Sequence, residues 1–180
     1  MKTLTLLRHA KSSWDDAVAR DFDRPLNAKG QRAAATMGRH MKSLGLEFDH
    51  VIVSPALRVT ETIEHLITGY GETLAPESDR RIYLASAATL LDIVRELPDA
   101  HGRVLMVGHN PGLEDLVLLL VPDRTGDALR DGIEEKYPTA ALAELTLDSD
   151  HWANFAANTA TLSRFIRPRD VDAALGPDAD

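Results

Sequence analysis

Three short apolar runs in the sequence each end abruptly, and each is followed by a segment with helical spacing. The runs cover residues 4–7, 51–53 and 104–107. Runs of this length are typical of buried strands, and their alternation with helices predicts strand–helix units in a mostly parallel sheet. Because both faces of such a sheet need apolar cover, we expect a three-layer α/β/α architecture with helices on both faces.

The rest of the pattern adds to this architecture. Helices are predicted over residues 28–43, after Ser54-Pro55 with Ser54 as the cap, over residues 89–97, and from Gly112 to about Val121. Strands are predicted near residues 73–74 and as an antiparallel pair at 142–147 and 160–166. The pattern does not fix the form of residues 122–138, although residues 129–136 suit a helical turn.

The chain length of 180 residues suits one compact domain. We assign residues 1–171 to this domain and residues 172–180 to a flexible tail. The formal net charge of −8 disfavours a nucleic-acid partner. The absence of cysteine excludes disulfides, thiolate metal sites and thiol catalysis. No apolar stretch is long enough for a signal peptide or a membrane span, so we expect a cytoplasmic protein with no membrane partner.

Polar and charged residues follow the three predicted strands at the point where each strand ends. Arg8-His9 follows the first strand, Ser54 follows the second with Arg58 one helical turn later, and His109 follows the third. The carboxyl ends of neighbouring parallel strands lie at one edge of a sheet, about 4.8 Å apart per strand. We therefore expect two arginines and two histidines to share one pocket. Guanidinium groups match phosphate oxygens in charge and geometry, so this pocket is predicted to bind a phosphoryl group.

The sequence contains neither a glycine-rich nucleotide loop with its lysine nor a carboxylate cluster suited to magnesium. We therefore predict no metal and no cofactor, with the phosphate charge neutralised by arginine and imidazole. Histidine can act as a covalent nucleophile, and arginines beside it favour its neutral, attacking form.

The stretch LRHAKSSW at residues 7–14 resembles the signature of the histidine phosphatase superfamily, which has the phosphoglycerate-mutase-like fold. Within the superfamily it most resembles the SixA-like phosphohistidine phosphatases. Three further stretches support the resemblance: RPL at residues 24–26, VSPALR at residues 53–58 and VGHNP at residues 107–111. Their order, and their spread over most of the chain, make the resemblance specific.

The resemblance implies a catalytic role for four residues. His9 would take the phosphoryl group and become phosphohistidine. Arg8, Arg58 and His109 would hold the phosphate oxygens and stabilise charge during the transfer. The activity implied is that of a phosphoric monoester or phosphoramidate hydrolase.

Two further residues are implied in substrate binding. Arg24 would be an additional phosphate contact, and Ser12 lies where the superfamily often has a serine near the phosphate. From the residues alone, Arg24 is equally well placed to pair with Asp21 or Asp23, and Ser12 to cap the turn. Asp15 stands where many members have asparagine, so we assign it no phosphate contact.

One departure from the family pattern bears on the substrate. Many members supply a glutamate as general acid after their third strand, whereas residues 81–86 here read RIYLAS and contain no carboxylate. An alkoxide leaving group needs a proton donor, which contributes roughly 10²–10⁴ in rate. Imidazole, with a pKa of about 6.5, can leave already protonated. We therefore predict a metal-independent phosphatase whose leading substrate is protein phosphohistidine.

Three other functions fit the same pattern. The first is a small-molecule phosphomonoesterase acting on a small phosphorylated substrate. The second, which the missing glutamate disfavours, is a phosphoglycerate mutase. The third is a non-catalytic phosphate-binding module on the same fold, and the presence of all four pocket residues argues against it.

Overall fold

The computed structural model describes residues 1–14 and 20–177. Six strands form one sheet: β1 (Lys2–Arg8), β2 (His50–Val53), β3 (Pro76–Ser78), β4 (Arg103–Gly108), β5 (Leu142–Leu147) and β6 (Thr161–Ile166). Their order across the sheet is β3-β2-β4-β1-β5-β6. The first four strands in this order pair in parallel, whereas β5 pairs antiparallel with β1, and β6 antiparallel with β5. The predicted mostly parallel sheet with an antiparallel final pair is confirmed.

The helices are α1 (Ala28–Ser43), α2 (Leu57–Tyr70), α3 (Ala87–Arg95), α4 (Gly112–Leu120), α5 (Ala128–Glu135) and α6 (Pro168–Val171). One apolar core joins the sheet to α1 and α2, with α6 packed against it, and a second joins the opposite face to α3, α4 and α5. The three-layer α/β/α architecture is therefore confirmed. Within the part of the chain that the structure describes, no helix is long and apolar enough to cross a membrane.

The central strand β4 shows why its sequence is a continuous apolar run. Val104 and Met106 pack into the core with α3 and α4, while Leu105 and Val107 pack into the core with α1 and α2. All four side chains are fully buried. Since successive residues of a strand point to opposite faces, a strand covered on both faces has no polar positions.

The strand predicted at residues 73–74 is misplaced, since β3 begins three residues later, at Pro76. All three of its side chains are exposed, and it pairs with β2 at the edge of the sheet. Backbone hydrogen bonds rather than burial hold this strand, so its side chains carry no pattern from which its position could be read.

The start of α2 also differs from the prediction. Ala56 is the N-cap residue and makes no side-chain cap, so Ser54 does not cap the helix. The Ser54 hydroxyl lies 2.7 Å from Nε2 of His109 and also accepts a hydrogen bond from the Ala56 amide at 3.3 Å. The segment predicted to hold a helical turn forms α5, and α3 begins two residues early because Ser86 caps it.

The segment predicted as a flexible tail begins with a packed turn. A 3₁₀ helix covers Ala173–Leu175, and Leu175 packs against the core formed with α1 and α2. Nζ of Lys29, on α1, donates a hydrogen bond to the carbonyl of Gly176 at 2.5 Å. The difference arises because Leu175 offers an apolar contact within a polar stretch. Residues 178–180 and Asp15 lie outside the described residues.

Helices α1 and α2 approach so closely that glycine is required between them. A Cβ atom on Gly38 of α1 would lie 2.1 Å from the carbonyl oxygen of Leu66 on α2. A Cβ atom on Gly69 would lie 1.9 Å from the carbonyl oxygen of Ala35. Because both obstacles are backbone atoms, neither can move aside without separating the helices.

We expect the Gly38→Ala substitution to lower the free energy of unfolding by about 1–3 kcal/mol, the usual cost of overpacking a core. Gly132 is the matched control, since it lies in α5 and its added Cβ would make ordinary contacts at 3.6 Å with Phe165. Gly132→Ala should raise the free energy of unfolding by up to about 1 kcal/mol through helix propensity. Urea denaturation measures both effects, and equal effects of the two substitutions would contradict the close-packing argument.

Candidate active site

The loops that follow β1, β2 and β4 begin at the same edge of the sheet, because these strands are parallel. Arg8 pairs in register with Gly108 across β1 and β4. The His9 amide donates to the carbonyl of Gly108 at 3.0 Å, and the Ser54 amide donates to the carbonyl of Val107 at 3.1 Å. The first residues after β1, β2 and β4 therefore lie side by side.

A cavity of about 630 Å³ opens at this edge. All six residues predicted to form the site line it: Arg8, His9, Ser12, Arg24, Arg58 and His109. The cavity is of the size that ordinarily accommodates a small molecule or a side chain with its attached group.

The His9 ring is held in one tautomer. Its Nδ1 lies 2.7 Å from the carbonyl oxygen of Ala10, and since a carbonyl only accepts hydrogen bonds, Nδ1 carries the proton. The Ala10 amide in turn donates to Oγ1 of Thr62 at 2.9 Å, which fixes this backbone to α2. Nε2 is therefore left with its lone pair.

Burial keeps His9 neutral, since only 7% of its surface is exposed. Burial lowers the pKa of His9 to about 3, the hydrogen bond to Ala10 opposes this effect, and the charge on Arg8 adds to it. An imidazole with this pKa carries a free lone pair throughout the neutral pH range.

His109 lies beside His9, with ring centroids 5.4 Å apart. Its Nδ1 lies 3.4 Å from Nη2 of Arg58, and because a guanidinium only donates, Nδ1 is the acceptor. Nε2 then carries the proton and donates to Oγ of Ser54 at 2.7 Å. Burial and, next, the charge on Arg58 lower the pKa of His109 to about 4.

Backbone carbonyl groups of two different segments anchor Arg8 and Arg58. Nη1 of Arg8 donates to the carbonyl of Tyr137 at 2.8 Å, and Nη1 of Arg58 donates to the carbonyl of Asp21 at 2.8 Å. Burial lowers the pKa of Arg8, which nevertheless stays a cation. Within the described residues, Nε of both arginines is buried without a hydrogen-bond acceptor. Unpaired donors of this kind are costly, and an anion bound between the arginines offers acceptors.

Asp21 is a site residue that the sequence did not single out for function. Its Oδ2 accepts hydrogen bonds from Nη2 of Arg58 at 3.0 Å and from the Tyr83 hydroxyl at 2.6 Å, and its Oδ1 accepts from Nε of Arg24 at 3.0 Å. Burial alone would raise the pKa of Asp21, but the hydrogen bonds from Tyr83 and Arg24 and the charge on Arg58 lower it to about 2. A carboxylate in this state orients the guanidinium groups and holds no proton to donate at neutral pH.

Arg24 combines the two alternatives that the sequence left open, since it pairs with Asp21 and also lines the cavity. Its Nη1 donates to Oγ of Ser12 at 2.6 Å, and its guanidinium stacks 3.7 Å from the ring centre of Trp14. The three-residue spacing between Asp21 and Arg24 was the available signal for this pair. The contact between Tyr83 and Asp21 has no signal in the sequence, because 62 residues separate the two.

The segment in which many superfamily members carry a glutamate contributes a leucine to the cavity. Leu84 lines the cavity, is 56% exposed and has a φ of 49°. Among the described residues that line the cavity, Asp21 is the single carboxylate.

The lowered pKa values of His9 and His109 fix the direction of a pH effect on stability. An unfolded histidine has a pKa of about 6.5. Between this pH and about 4, the unfolded chain binds protons that the folded chain excludes, so stability falls as the pH falls. We expect each histidine to remove about 2 kcal/mol from the free energy of unfolding between pH 7 and pH 5.

Denaturation of the His9→Asn and His109→Asn variants at these two pH values isolates each contribution. Each variant should lose about 2 kcal/mol less than the parent chain over the same interval. If both variants keep the full pH dependence of the parent chain, the buried histidines are not neutral and the assignment is wrong.

Residues 4–83 match the family model of the histidine phosphatase superfamily (branch 1). An uncharacterized protein of Mycobacterium tuberculosis strain H37Rv is 32% identical over 164 residues, which cover 91% of this chain and all of that protein. These similarities extend the resemblance beyond the four motifs at the edge of the sheet.

Solved structures agree with the family match. A candidate phosphohistidine phosphatase SixA from Nakamurella multipartitia has a TM-score of 0.79 at 26% identity, covering 93% of this chain and 96% of that one. The protein histidine phosphatase SixA in complex with tungstate has a TM-score of 0.72 at 23% identity, covering 94% and 99%, which shows the shared phosphoglycerate-mutase-like fold. The chain belongs to branch 1 of the histidine phosphatase superfamily.

Proposed function

We propose that the protein is a metal-independent phosphatase that works through a phosphohistidine intermediate on His9, with protein phosphohistidine as its leading substrate. One observation carries the proposal. The His9 ring is buried, neutral and fixed by its Nδ1–H to Ala10, so that Nε2 carries a lone pair within a cavity lined by guanidinium groups.

The first step is a phosphoryl transfer to the enzyme. The lone pair on Nε2 of His9 attacks phosphorus, and the bond from phosphorus to the leaving group breaks, with its electron pair going to the leaving group. Arg8, Arg58 and His109 hold the phosphate oxygens, and Arg24 adds a further contact. In the second step water attacks phosphorus, the bond to Nε2 breaks with its electron pair returning to Nε2, and the proton of the water stays on the inorganic phosphate that is released.

His109 needs a change of protonation for this role. In the arrangement described above, Nδ1 of His109 accepts from Arg58 and Nε2–H donates to Ser54. A phosphate dianion beside the ring favours the imidazolium, which has a proton on both nitrogens. Nδ1 then donates to a phosphate oxygen while the bond between Nε2 and Ser54 keeps the ring in place.

The preference for phosphohistidine follows from the leaving group. Asp21, the single carboxylate among the described lining residues, is ionised because its pKa is about 2. An alkoxide leaving group therefore finds no ready carboxylic acid there, whereas an imidazole with a proton on its other nitrogen leaves without one. The likeness to structures named as SixA phosphohistidine phosphatases supports the same substrate class.

The His9→Ala substitution tests the mechanism. We expect it to abolish both turnover and acid-labile labelling of the protein by a phosphate donor, because no other group in the cavity is predicted to form a phosphoenzyme. His40→Ala, on α1 and outside the lining of the cavity, is the control and should retain both activities. Turnover by the His9→Ala protein would refute the covalent mechanism.

A substrate panel tests the substrate class. We expect kcat/KM for a phosphohistidine peptide to exceed that for unactivated alkyl phosphates by about 10² or more, the usual contribution of a general acid. Equal values would favour the small-molecule phosphomonoesterase. Transfer between the two positions of phosphoglycerate would favour a mutase, and phosphate binding without any hydrolysis would favour a binding module.

A further inference from the structure

The cavity extends well beyond the phosphoryl pocket. At about 630 Å³ it has space for a leaving group as well as for a phosphoryl group. Besides the arginines around His9, the basic side chains that line the cavity include Lys29, Lys136, Arg167 and Arg169. We call these four residues the basic end of the cavity.

Two residues of the basic end are already committed to partners within the chain. Arg167 forms a two-pronged ion pair with Asp170, through Nε at 3.0 Å and Nη2 at 2.8 Å. Lys29 donates to the carbonyl of Gly176. Lys136 and Arg169 are both exposed, and neither has an ion-pair partner among the described residues.

The segment that carries Lys136 lies next to Arg8 in space, although the two residues are far apart along the chain. The carbonyl of the next residue, Tyr137, accepts hydrogen bonds from Nη1 of Arg8 at 2.8 Å and from Nδ2 of Asn110 at 3.1 Å. The Ala140 amide binds the carbonyl oxygens of both Arg8 and His9. The segment that carries Lys136 is therefore fixed directly to residues of the phosphoryl pocket.

The lining of the cavity is mainly cationic, whereas the whole chain has a negative net charge. The formal net charge is −8, yet the described lining residues carry several cations and one carboxylate, which is already bound by Arg24 and Arg58. A cationic cleft in an acidic protein attracts anions into the cleft. The phosphoryl group accounts for the arginines around His9 but not for Lys136 and Arg169.

Two exposed apolar side chains indicate a polypeptide rather than a small phosphate ester. Trp14 is 79% exposed and Leu84 is 56% exposed, and both line the same cavity. Large exposed apolar groups beside a charged rim are typical of surfaces that bind other proteins. A small charged ester does not need apolar side chains such as Trp14 and Leu84 for its binding.

We propose that Lys136 and Arg169 form a subsite that binds an acidic side chain next to the phosphohistidine of a protein substrate. The inference rests on the proposed function for the identity of the phosphorylated residue. It adds that the phosphatase distinguishes its protein substrates by a carboxylate near the phosphorylated histidine.

The test is a binding measurement, so it does not depend on turnover. Two fluorescent peptides carry a non-hydrolysable phosphohistidine analogue, one flanked by Asp and Glu and the other by Asn and Gln. By fluorescence anisotropy we expect the parent chain to bind the acidic peptide about fivefold to tenfold more tightly. The Lys136→Gln/Arg169→Gln variant should bind both peptides with the affinity that the parent chain shows for the neutral one.

The matched control is the Arg39→Gln/Arg95→Gln variant, which removes the same charge from exposed positions outside the cavity lining. It should keep the preference for the acidic peptide. The proposal is overturned by equal binding of the two peptides, by a preference that survives in the subsite variant, or by an equal loss in the control variant. The proposal is also wrong if carboxyphenyl phosphate, a small anion, loses affinity in the subsite variant by the same factor as the acidic peptide does. The subsite would then bind any small anion and not specifically a side chain of a protein substrate.

Hydrolysis of an unmodified phosphohistidine peptide is measured separately. No hydrolysis together with a retained acidic preference would reject the proposed function and leave the subsite supported. Hydrolysis without any acidic preference would reject the subsite and leave the proposed function supported.

Discussion

The pairing of β1 with β4 is the constraint on which the candidate site depends. Arg8 and Gly108 are register partners, and the residues that follow them place two imidazole rings 5.4 Å apart. A slip of one residue would turn every side chain of β1 to the opposite face and separate the rings. The fully buried side chains on both faces of β4 make such a slip very costly, so the stability of the core also fixes the geometry of the site.

Around this pairing the charges are arranged so that the cations stay ionised and the imidazoles stay neutral. Burial and the neighbouring guanidinium groups lower the pKa values of both His9 and His109. Asp21 contributes the compensating negative charge and contacts two of the arginines, Arg24 and Arg58, at once. One carboxylate thus limits the repulsion between the guanidinium groups and sets their orientation before any substrate arrives.

The local sequence pattern predicts the buried strands and the site residues at their ends, because each apolar run is followed directly by the polar residues of the candidate site. It was insufficient where a contact joins distant segments. Asp21 meets Arg58 across 37 residues and Tyr83 across 62, and no spacing in the sequence encodes either contact. The neighbours of Ser54 predict a helix cap, but they do not predict the contact of its hydroxyl with His109, which lies 55 residues away. The edge strand β3 and the turn at Leu175 depend on tertiary pairing and so left little trace in the sequence.

The packed turn at residues 173–177 has a consequence for access to the site. Leu175, Gly176 and Pro177 form part of the cavity lining, and the contacts of this turn with α1 and its core include the hydrogen bond from Lys29 and the packing of Leu175. Exposed turns open locally at a smaller free energy than buried strands do. We therefore expect the side of the cavity formed by this turn to open locally more readily than the buried strand β1 that precedes His9.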